Sequence, residues 1–342
     1  MTTEEGATPS REQGWWGPIL ATLALLILPA TPPFALLVPF DQTLLLLAPA
    51  LAICAVVGWR AGGRLPLALV WTAFALFALW TPGSASAFAL LARAWAVLLT
   101  ASFGAVLLMR KEERFLPQAL LAIGIALALG LAAVMVAGGG VVETGTTLTD
   151  DVMRRAEFAR VAWQQFVAQP AWQEFARDNA SAILLSTQVE SQFTELPKAA
   201  RTLVPALLAL ESLAALAIAW AVYHRFGRAR IGAPLASIRD LTFHEAFVWG
   251  IIAGLLVIVV PMPEVIRVIG LNVLVFFGAL YVLRGLGVLL WFLSPGRWML
   301  VLWTIVVVLF LQVVGAVALA VGIGDTWLDW RNRPRPKSQR SE

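Results

Sequence analysis

The sequence predicts an all-α protein: a polytopic transmembrane helical bundle with an extramembrane amphipathic helical insertion. Two observations support this class. The 342 residues are 60% hydrophobic and only 13% charged, with a mean hydropathy of +0.80, whereas a soluble domain is about half apolar and a quarter charged. In addition, eight or nine hydrophobic segments recur between short polar loops, and about 20 apolar residues suffice to cross a bilayer as a helix.

The segments divide the chain into five regions, from a polar N-terminal tail (1–16) to a basic C-terminal tail (324–342). Between these tails lie N-terminal membrane helices (17–138), the extramembrane insertion (139–201) and C-terminal membrane helices (202–323). Hydrophobic segments are expected at 17–38, 43–59, 65–80, 86–109, 115–137, 203–223, 246–262, 265–293 and 298–322. Pro29, Pro32 and Pro33 interrupt the first segment, which indicates a kink or a pair of half-helices there.

No cleavable signal peptide is expected at the N-terminus. The tail reads MTTEEGATPSREQ, with three acidic residues against one arginine, and a signal peptide begins with a basic region. Trp15 and Trp16 follow, and such a pair suits the aromatic belt at the membrane interface.

Basic residues in the short loops predict the orientation of the bundle, because such residues favour the cytoplasm. Three loop clusters carry them: Arg60 with Arg64; Arg110 with Lys111 and Arg114; and Arg225 with Arg228 and Arg230. This pattern places the N-terminus inside and the polar interval 141–201 outside. The basic tail also favours the cytoplasm. Nine crossings cannot place both ends of the chain there, because an odd number of crossings puts the ends on opposite sides. Either one of the last three segments is re-entrant or the tail is exported, and we favour eight crossings with both ends inside.

The polar interval 141–201 is predicted to form two amphipathic helices. Thr147-Leu148-Thr149-Asp150 is a candidate N-terminal cap, and Pro170 suits the first turn of the second helix. Apolar residues then recur at helical spacing, at Phe158, Val161, Ala162 and Phe166 in the first helix and at Trp172, Phe175, Ala176, Ile183 and Val189 in the second. We favour a small cap over the membrane helices, and partner docking or gating is the alternative.

The segment 265–293 carries the strongest candidate for a binding site. Asn272, Tyr281 and Arg284 interrupt its apolar run, and Tyr281 and Arg284 share one helical face with several glycines. An arginine at that depth costs from ~2.5 to over 10 kcal/mol unless it is paired or hydrated. Glu211, in the segment 203–223, is the proposed partner of Arg284. The pair would line a ligand or proton path or fix helix register; otherwise the two do not meet and Arg284 snorkels.

We therefore name Arg284, Tyr281, Glu211 and Asn272 as candidate ligand-binding residues. The C-terminal Asp325, Trp327, Asp329 and Arg331 are interpreted as a membrane-boundary motif, with Asp329 one turn before Arg333. A carboxylate pair of Asp325 with Asp329 is the alternative.

The sequence lacks the residue patterns of disulfides, metal sites, nucleotide sites and catalytic sites. The single cysteine, Cys54, excludes an intramolecular disulfide and a thiolate metal cluster. His224 and His244 have no ligand partner at metal spacing, so no metal site is expected. No phosphate-binding glycine loop and no nucleophile–base set occurs, so we expect neither an enzyme nor a cofactor. The basic residues lie in membrane loops and the tail, which argues against nucleic-acid binding.

Three stretches in the second half resemble the YybS-like family of bacterial membrane proteins, a family of unknown function. They are FHEAFVWG at 243–250, Asn272 with YVLRGL at 281–286, and GIGDTWLDWR at 322–331. Pro49 and Arg60-Ala61-Gly62 agree more loosely, the family usually has Gln where Arg284 stands, and 141–201 looks like an insertion. The resemblance implies a multi-pass protein of the bacterial inner membrane. It also implies similarity to substrate-binding subunits of energy-coupling-factor transporters and, more distantly, to a cell-shape protein of the rod complex. Transporter subunits of that kind bind a vitamin-like molecule and use a separate ATPase.

Two functions remain open from the sequence. The first is a membrane protein that binds or translocates a small, anionic solute among its helices, because Arg and Tyr suit a carboxylate. The second is a non-catalytic cell-envelope scaffold, in which the 141–201 helices or the basic tail recruit a partner protein. The lipid bilayer is a partner in both cases, and an intramembrane enzyme is the least favoured function.

Overall fold

The computed structural model describes residues 16–27, 43–80, 86–110, 114–136, 141–227, 231–294, 296, 299 and 310–331. These residues are mostly helical, and no strand occurs among them. The chain divides into two compact units, Met1–Leu235 and Ala236–Glu342.

The described part of the first unit contains eight helices. They are α1 (Trp16–Ile27), α2 (Thr43–Arg60), α3 (Leu65–Trp80), α4 (Ala87–Met109), α5 (Phe115–Val136), α6 (Val141–Val167), α7 (Pro170–Asp178) and α8 (Ala180–Phe226). The described part of the second unit contains α9 (Val248–Val259), α10 (Glu264–Leu293) and α11 (Leu311–Leu328), with two short 3₁₀ turns at Ile238–Asp240 and Glu245–Phe247.

Four helical segments are long and apolar enough to cross a membrane: Ala87–Met109, Phe115–Val136, Pro197–Phe226 and Glu264–Leu293. Four apolar helices are shorter: Leu44–Arg60, Leu65–Trp80, Glu245–Val259 and Gln312–Leu328. The predicted all-α membrane class is therefore confirmed, whereas eight or nine crossings stay a prediction. Pro29, Pro32 and Pro33 and most of 298–310 lie outside the described residues.

Helix α2 forms the centre of the first unit because it is apolar on every side. Its residues from Leu45 to Leu51 are mostly buried, and it packs against α3, α4 and α8. Small residues permit the close approach: a Cβ on Gly58 would overlap the Tyr223 ring of α8, and one on Gly104 of α4 would overlap Ile53.

The described basic residues at the ends of α2, α4 and α8, which are Arg60, Arg110 and Arg225, lie at one end of the helices of the first unit. Gly58, near the end of α2, contacts Tyr223, near the end of α8. The Trp220 ring of α8 lies 5.7 Å from that of Phe115, at the start of α5. These contacts bring together the C-terminal ends of α2 and α8 and the start of α5. Such an arrangement is what the positive-inside rule requires, and the side of the membrane stays a prediction.

A helical hairpin extends from the opposite end of this unit. Helix α6 packs along the first part of α8 through two apolar clusters, and Arg155 of α6 lies 5.0 Å above the ring of Phe88 at the start of α4. Helix α8 has 47 residues, which is about 70 Å of helix. It therefore continues from the hairpin into the membrane-length segment as one helix.

The interval 141–201 is helical as predicted, but its boundaries differ. Helix α6 begins at Val141, so the predicted cap at Thr147–Asp150 is wrong; those residues lie inside the helix. Pro170 does begin α7, as predicted. The expected second helix breaks at Asn179, whose backbone is extended and whose side-chain amide donates to the Phe175 carbonyl.

In the second unit, α9 and α11 both run antiparallel to α10. Gly250 of α9 lies against Phe277, and Gly254 lies against the Gly270 carbonyl, so this GxxxG pair serves close helix packing. On the other half of α10, Gly285 lies against the Ala318 carbonyl. The glycine-rich face of α10 is therefore its packing face, as its helical wheel predicts.

Candidate functional site

Two short helices end beside the middle of the long helix α10. The Phe247 ring, at the start of α9, lies 5.8 Å from that of Phe277. At the other side, Gly322 in the last turns of α11 lies against the Tyr281 carbonyl. Helix α9 has 12 residues, or about 18 Å, whereas the hydrocarbon core is about 30 Å thick. Half-helix ends of this kind build the solute sites of many transporters.

The helix register explains why polar groups meet at this point. Tyr281 faces Gly322 and Gly285 faces Ala318, so antiparallel packing places Asp325 opposite Gly278. Helical side chains point back towards the N-terminus of their own helix. The ends of Tyr281 and Arg284 therefore reach towards the level of Asp325.

Arg284 and Asp325 form a buried ion pair, with side chains 7% and 0% exposed. Arg284 Nε donates to Asp325 Oδ2 at 2.9 Å, and Arg284 Nη2 donates to the Asp325 backbone oxygen at 3.1 Å. Charge-assisted bonds from one guanidinium to two oxygens specify geometry as well as add energy. The contact thus ties α10 to the last turn of α11.

Arg331 brings a second guanidinium to the same carboxylate. Its Nη2 donates to Asp325 Oδ2 at 2.6 Å and to the Leu241 carbonyl at 3.1 Å, and its Nη1 donates to the Arg239 carbonyl at 2.8 Å. Arg331 therefore fixes the segment before α9 to the end of α11. Two guanidiniums face one carboxylate, so the three side chains carry a net charge of +1.

Phe243 covers this cluster from the segment before α9. Its ring meets the Tyr281 ring edge-on at 5.0 Å, and the Arg284 guanidinium carbon lies 5.2 Å from the Phe243 ring centre. A cation near a desolvated aromatic face is stabilised by ~2 kcal/mol or more. Tyr281 is fully buried under this wall.

Three atoms of the cluster make no hydrogen bond within the described part of the chain. They are Tyr281 Oη, Arg284 Nη1 and Asp325 Oδ1. A buried polar atom without a partner costs about 1–3 kcal/mol. A small polar molecule that bonds to these atoms would remove that cost, which makes them the candidate ligand contacts.

The structure brings together two of the four predicted ligand-binding residues, Tyr281 and Arg284. Asn272 lies 12 residues before Arg284 on α10, which is about 18 Å along the helix axis. Its side-chain amide donates to the Val268 carbonyl at 2.8 Å. Glu211 is buried in α8 of the first unit. Its contact with Arg284 stays a prediction, whereas the carboxylate that the structure pairs with Arg284 is Asp325.

The expected boundary motif contains both buried and exposed residues, and its place relative to the membrane stays a prediction. Asp325 is 1% exposed and Arg331 is bonded to it, so both belong to the buried cluster. Asp329 is exposed and ends α11 with a left-handed backbone, φ 39°. Because the helix ends at Leu328, the assumed helical spacing from Asp329 to Arg333 does not hold; Arg333 lies outside the described residues. Trp327 is 63% exposed.

One pattern in the sequence does point to Asp325. Ala318, Gly322 and Asp325 recur at helical spacing, so the small residues and the carboxylate share one face of α11. A face of that kind matches the glycine and arginine face of α10. The pairing therefore could have been proposed from the two patterns together.

Comparison of the chain with family models, with curated proteins and with solved structures finds no match. The resemblance to the YybS-like family therefore stays a prediction. The cluster itself combines a positive charge, a donor, an acceptor and a hydroxyl in a buried setting. These groups suit the binding of a small anion.

Proposed function

We propose that this membrane protein binds a small anionic solute beside the middle of α10 and moves it across the bilayer, with Tyr281 and Arg284 as the binding residues. The observation that carries the proposal is the buried guanidinium of Arg284, whose Nη1 makes no hydrogen bond to the described residues. The Arg284 guanidinium and the Tyr281 ring both contact the Phe243 ring. Both groups suit an anionic oxygen, and the net charge of +1 attracts one.

The meeting of helix ends supports transport as well as binding. In many secondary transporters the solute lies near the bilayer midplane, where interrupted helices end and their backbone dipoles face the site. Here the N-terminus of α9, which is the positive end of its dipole, meets α10 near its middle and suits an anion, whereas the C-terminus of α11 brings the negative end of its dipole to the same level. If the short helix α9 does not cross the bilayer and the α9–α10 turn is re-entrant, eight of the nine predicted segments cross. Both ends of the chain can then lie in the cytoplasm.

The resemblance to the YybS-like family adds two expectations to this proposal. The protein would lie in the bacterial inner membrane, and a separate ATPase would supply energy if it works as transporter subunits of that kind do. Gln usually stands in that family where this chain has Arg284. The Arg284→Gln substitution is therefore the informative variant for an anion site.

Thermal unfolding of the detergent-purified protein with a library of small anions tests the proposal. A ligand that binds only the folded protein raises its Tm, and its stabilisation reaches about 2.7 kcal/mol at 100 times Kd. We expect at least one anion to raise the Tm of the wild type and of Arg267→Gln, an exposed arginine on the same helix. Arg284→Gln should not respond. No response in the wild type, or an equal response in Arg284→Gln, would refute anion binding here.

One observation favours the scaffold as a second candidate function. The hairpin exposes large apolar side chains, with Phe158 78% and Leu184 71% exposed. Exposed apolar surface of this kind marks protein or membrane contacts when it is contiguous. A scaffold predicts that Phe158→Ser with Leu184→Ser abolishes a cross-linked complex in cells while leaving the Tm unchanged. Unchanged cross-linking would exclude this surface as the docking site.

A further inference from the structure

We infer that the site takes a monoanion whose anionic oxygen lies next to a hydroxyl donor, with a small 2-hydroxy carboxylate as the expected ligand, and that Asp325 recognises the hydroxyl. This inference rests on the proposed anion binding at Arg284. It adds the chemical class of the ligand and a specificity role for Asp325.

Charge balance selects a monoanion. Arg284, Arg331 and Asp325 together carry +1, and all three side chains are less than 10% exposed. Uncompensated charge is costly at a site removed from water. A monoanion makes the occupied cluster neutral, whereas a dianion would leave it at −1.

The unused atoms select a ligand that both accepts and donates. Arg284 Nη1 can only donate, Tyr281 Oη can do either, and Asp325 Oδ1 can only accept while ionised. A plain carboxylate satisfies the first two atoms but offers no hydrogen to Asp325 Oδ1. A hydroxyl on the carbon next to the carboxylate supplies that hydrogen.

The proximity of the Arg284 and Asp325 side chains favours a ligand of few atoms. Arg284 Nη1 and Asp325 Oδ1 belong to the two groups that the 2.9 Å bond between Nε and Oδ2 already joins. A ligand that contacts both atoms therefore bridges only these two joined groups, which a ligand of few atoms can do.

Packing around the cluster favours a ligand of few atoms. A Cβ on Gly285 would overlap the Ala318 carbonyl, so the α10–α11 contact is closed on that side. Two turns earlier, at the level of Asp325, a Cβ on Gly278 meets none of the described residues within 4 Å. Space for a few atoms is therefore present beside Gly278 among the described residues, while the Phe243 ring covers Tyr281 and Arg284.

Dihydrogen phosphate has the same chemistry, because it is a monoanion that carries hydroxyl donors. The test therefore compares glycolate, acetate and inorganic phosphate as ligands of the purified wild type, by calorimetry or by Tm. Glycolate differs from acetate only in the hydroxyl. A site that bonds a substrate hydroxyl rejects the analogue without it strongly, so we expect glycolate to bind at least about tenfold more tightly.

The four outcomes are distinct. Glycolate tighter than acetate by that factor supports the inference, and phosphate tighter than both supports the same chemistry with phosphate as its source. Acetate equal to or tighter than glycolate, when Arg284→Gln abolishes its binding, overturns the inference but leaves the proposed function intact. No binding of any of these or of the wider anion library overturns the proposed function itself.

Asp325→Asn tests the role of the carboxylate directly. This variant raises the charge of the cluster to +2 and removes the obligate acceptor. We expect acetate to bind more tightly and the preference for glycolate to fall to about one. Tyr223→Phe, in the other unit, is the control that should keep the wild-type ratio. An unchanged glycolate preference in Asp325→Asn would refute the assigned role, and the wild-type comparison stays decisive if the variant does not fold.

Discussion

Arg284 donates to both the carboxylate and the backbone oxygen of Asp325, at 2.9 and 3.1 Å. The side-chain bond depends on residue type, but the backbone bond requires that α11 reaches its last turn at this level of α10. The position of the end of α11 therefore depends on the buried ion pair of these two residues. A ligand that bonds to Arg284 Nη1 would therefore contact the same side chain that holds the end of α11.

Asp325→Ala should destabilise the protein strongly. The substitution leaves two buried guanidiniums without their carboxylate, and breaking a buried pair by removing one partner costs about 3–5 kcal/mol. We expect a large fall in the Tm of the detergent-purified protein. Glu264→Gln, an exposed acid in the first turn of α10, should leave the Tm nearly unchanged. Equal effects of the two variants would contradict the buried pair.

Gly285→Ala should also destabilise the protein, through sterics instead of charge. Its new Cβ would overlap the Ala318 carbonyl, and a backbone cannot move aside as a flexible side chain can. Overpacking of this kind costs about 1–3 kcal/mol.

Gly278→Ala is the matched control for Gly285→Ala, because Gly278 lies on the same helix and its Cβ would meet none of the described residues within 4 Å. Alanine favours helix over glycine by about 1 kcal/mol, so this variant should keep or raise the Tm. The measurement is unfolding of both variants side by side. A destabilised Gly278→Ala with an unaffected Gly285→Ala would show that the α10–α11 register is different.

The sequence was sufficient to locate Arg284 and Tyr281 because a charge inside an apolar run is visible in local composition. It was not sufficient to identify Asp325 as the partner, since that pairing depends on the antiparallel register of two helices. The depth of Glu211 in its own segment favours it as the partner, but depth in a span does not specify the neighbour. The tryptophans and the chain end near Asp325 favour a membrane boundary instead.

Local patterns predicted most helix positions but misplaced the start of α6. The helices α4 and α5 end at charged or glycine-rich loops, so their ends lie within a residue or two of the expected positions. The start of α6, VVETGTT, is rich in β-branched residues that do not favour helix. Packing of Leu148 and Val152 against Ala200 and Val204 of α8 stabilises the helix there, and this contact is not visible in a local window.

Tyr281→Phe should separate stability from binding. The Tyr281 hydroxyl makes no hydrogen bond within the described residues, so its removal relieves an unpaired buried group at no cost in packing. We expect the free energy of unfolding of the ligand-free protein to stay equal or to rise by up to about 1 kcal/mol. The ligand-free Tm should therefore stay equal or rise. Affinity for the anion should fall about tenfold.

Tyr223→Phe is the control for Tyr281→Phe, because these are the two tyrosines of the chain and they lie in different units. Its anion affinity should match that of the wild type. A fall in ligand-free Tm for Tyr281→Phe with unchanged affinity would instead assign the hydroxyl a structural role.

Cysteine labelling in intact cells tests the orientation of the first unit. Cys54 is the single cysteine and is buried, so Cys54→Ala provides a background. Arg64 lies in the basic loop between α2 and α3, and Phe158 lies on the hairpin. Both positions are exposed, so a cysteine is introduced at each, as Arg64→Cys and Phe158→Cys. The positive-inside rule places Arg64 in the cytoplasm, so a membrane-impermeant maleimide should label only Phe158→Cys. Both should react once the cells are permeabilised. Labelling of Arg64→Cys alone would invert the topology, and equal labelling of both before permeabilisation would contradict their location at opposite ends of the membrane helices.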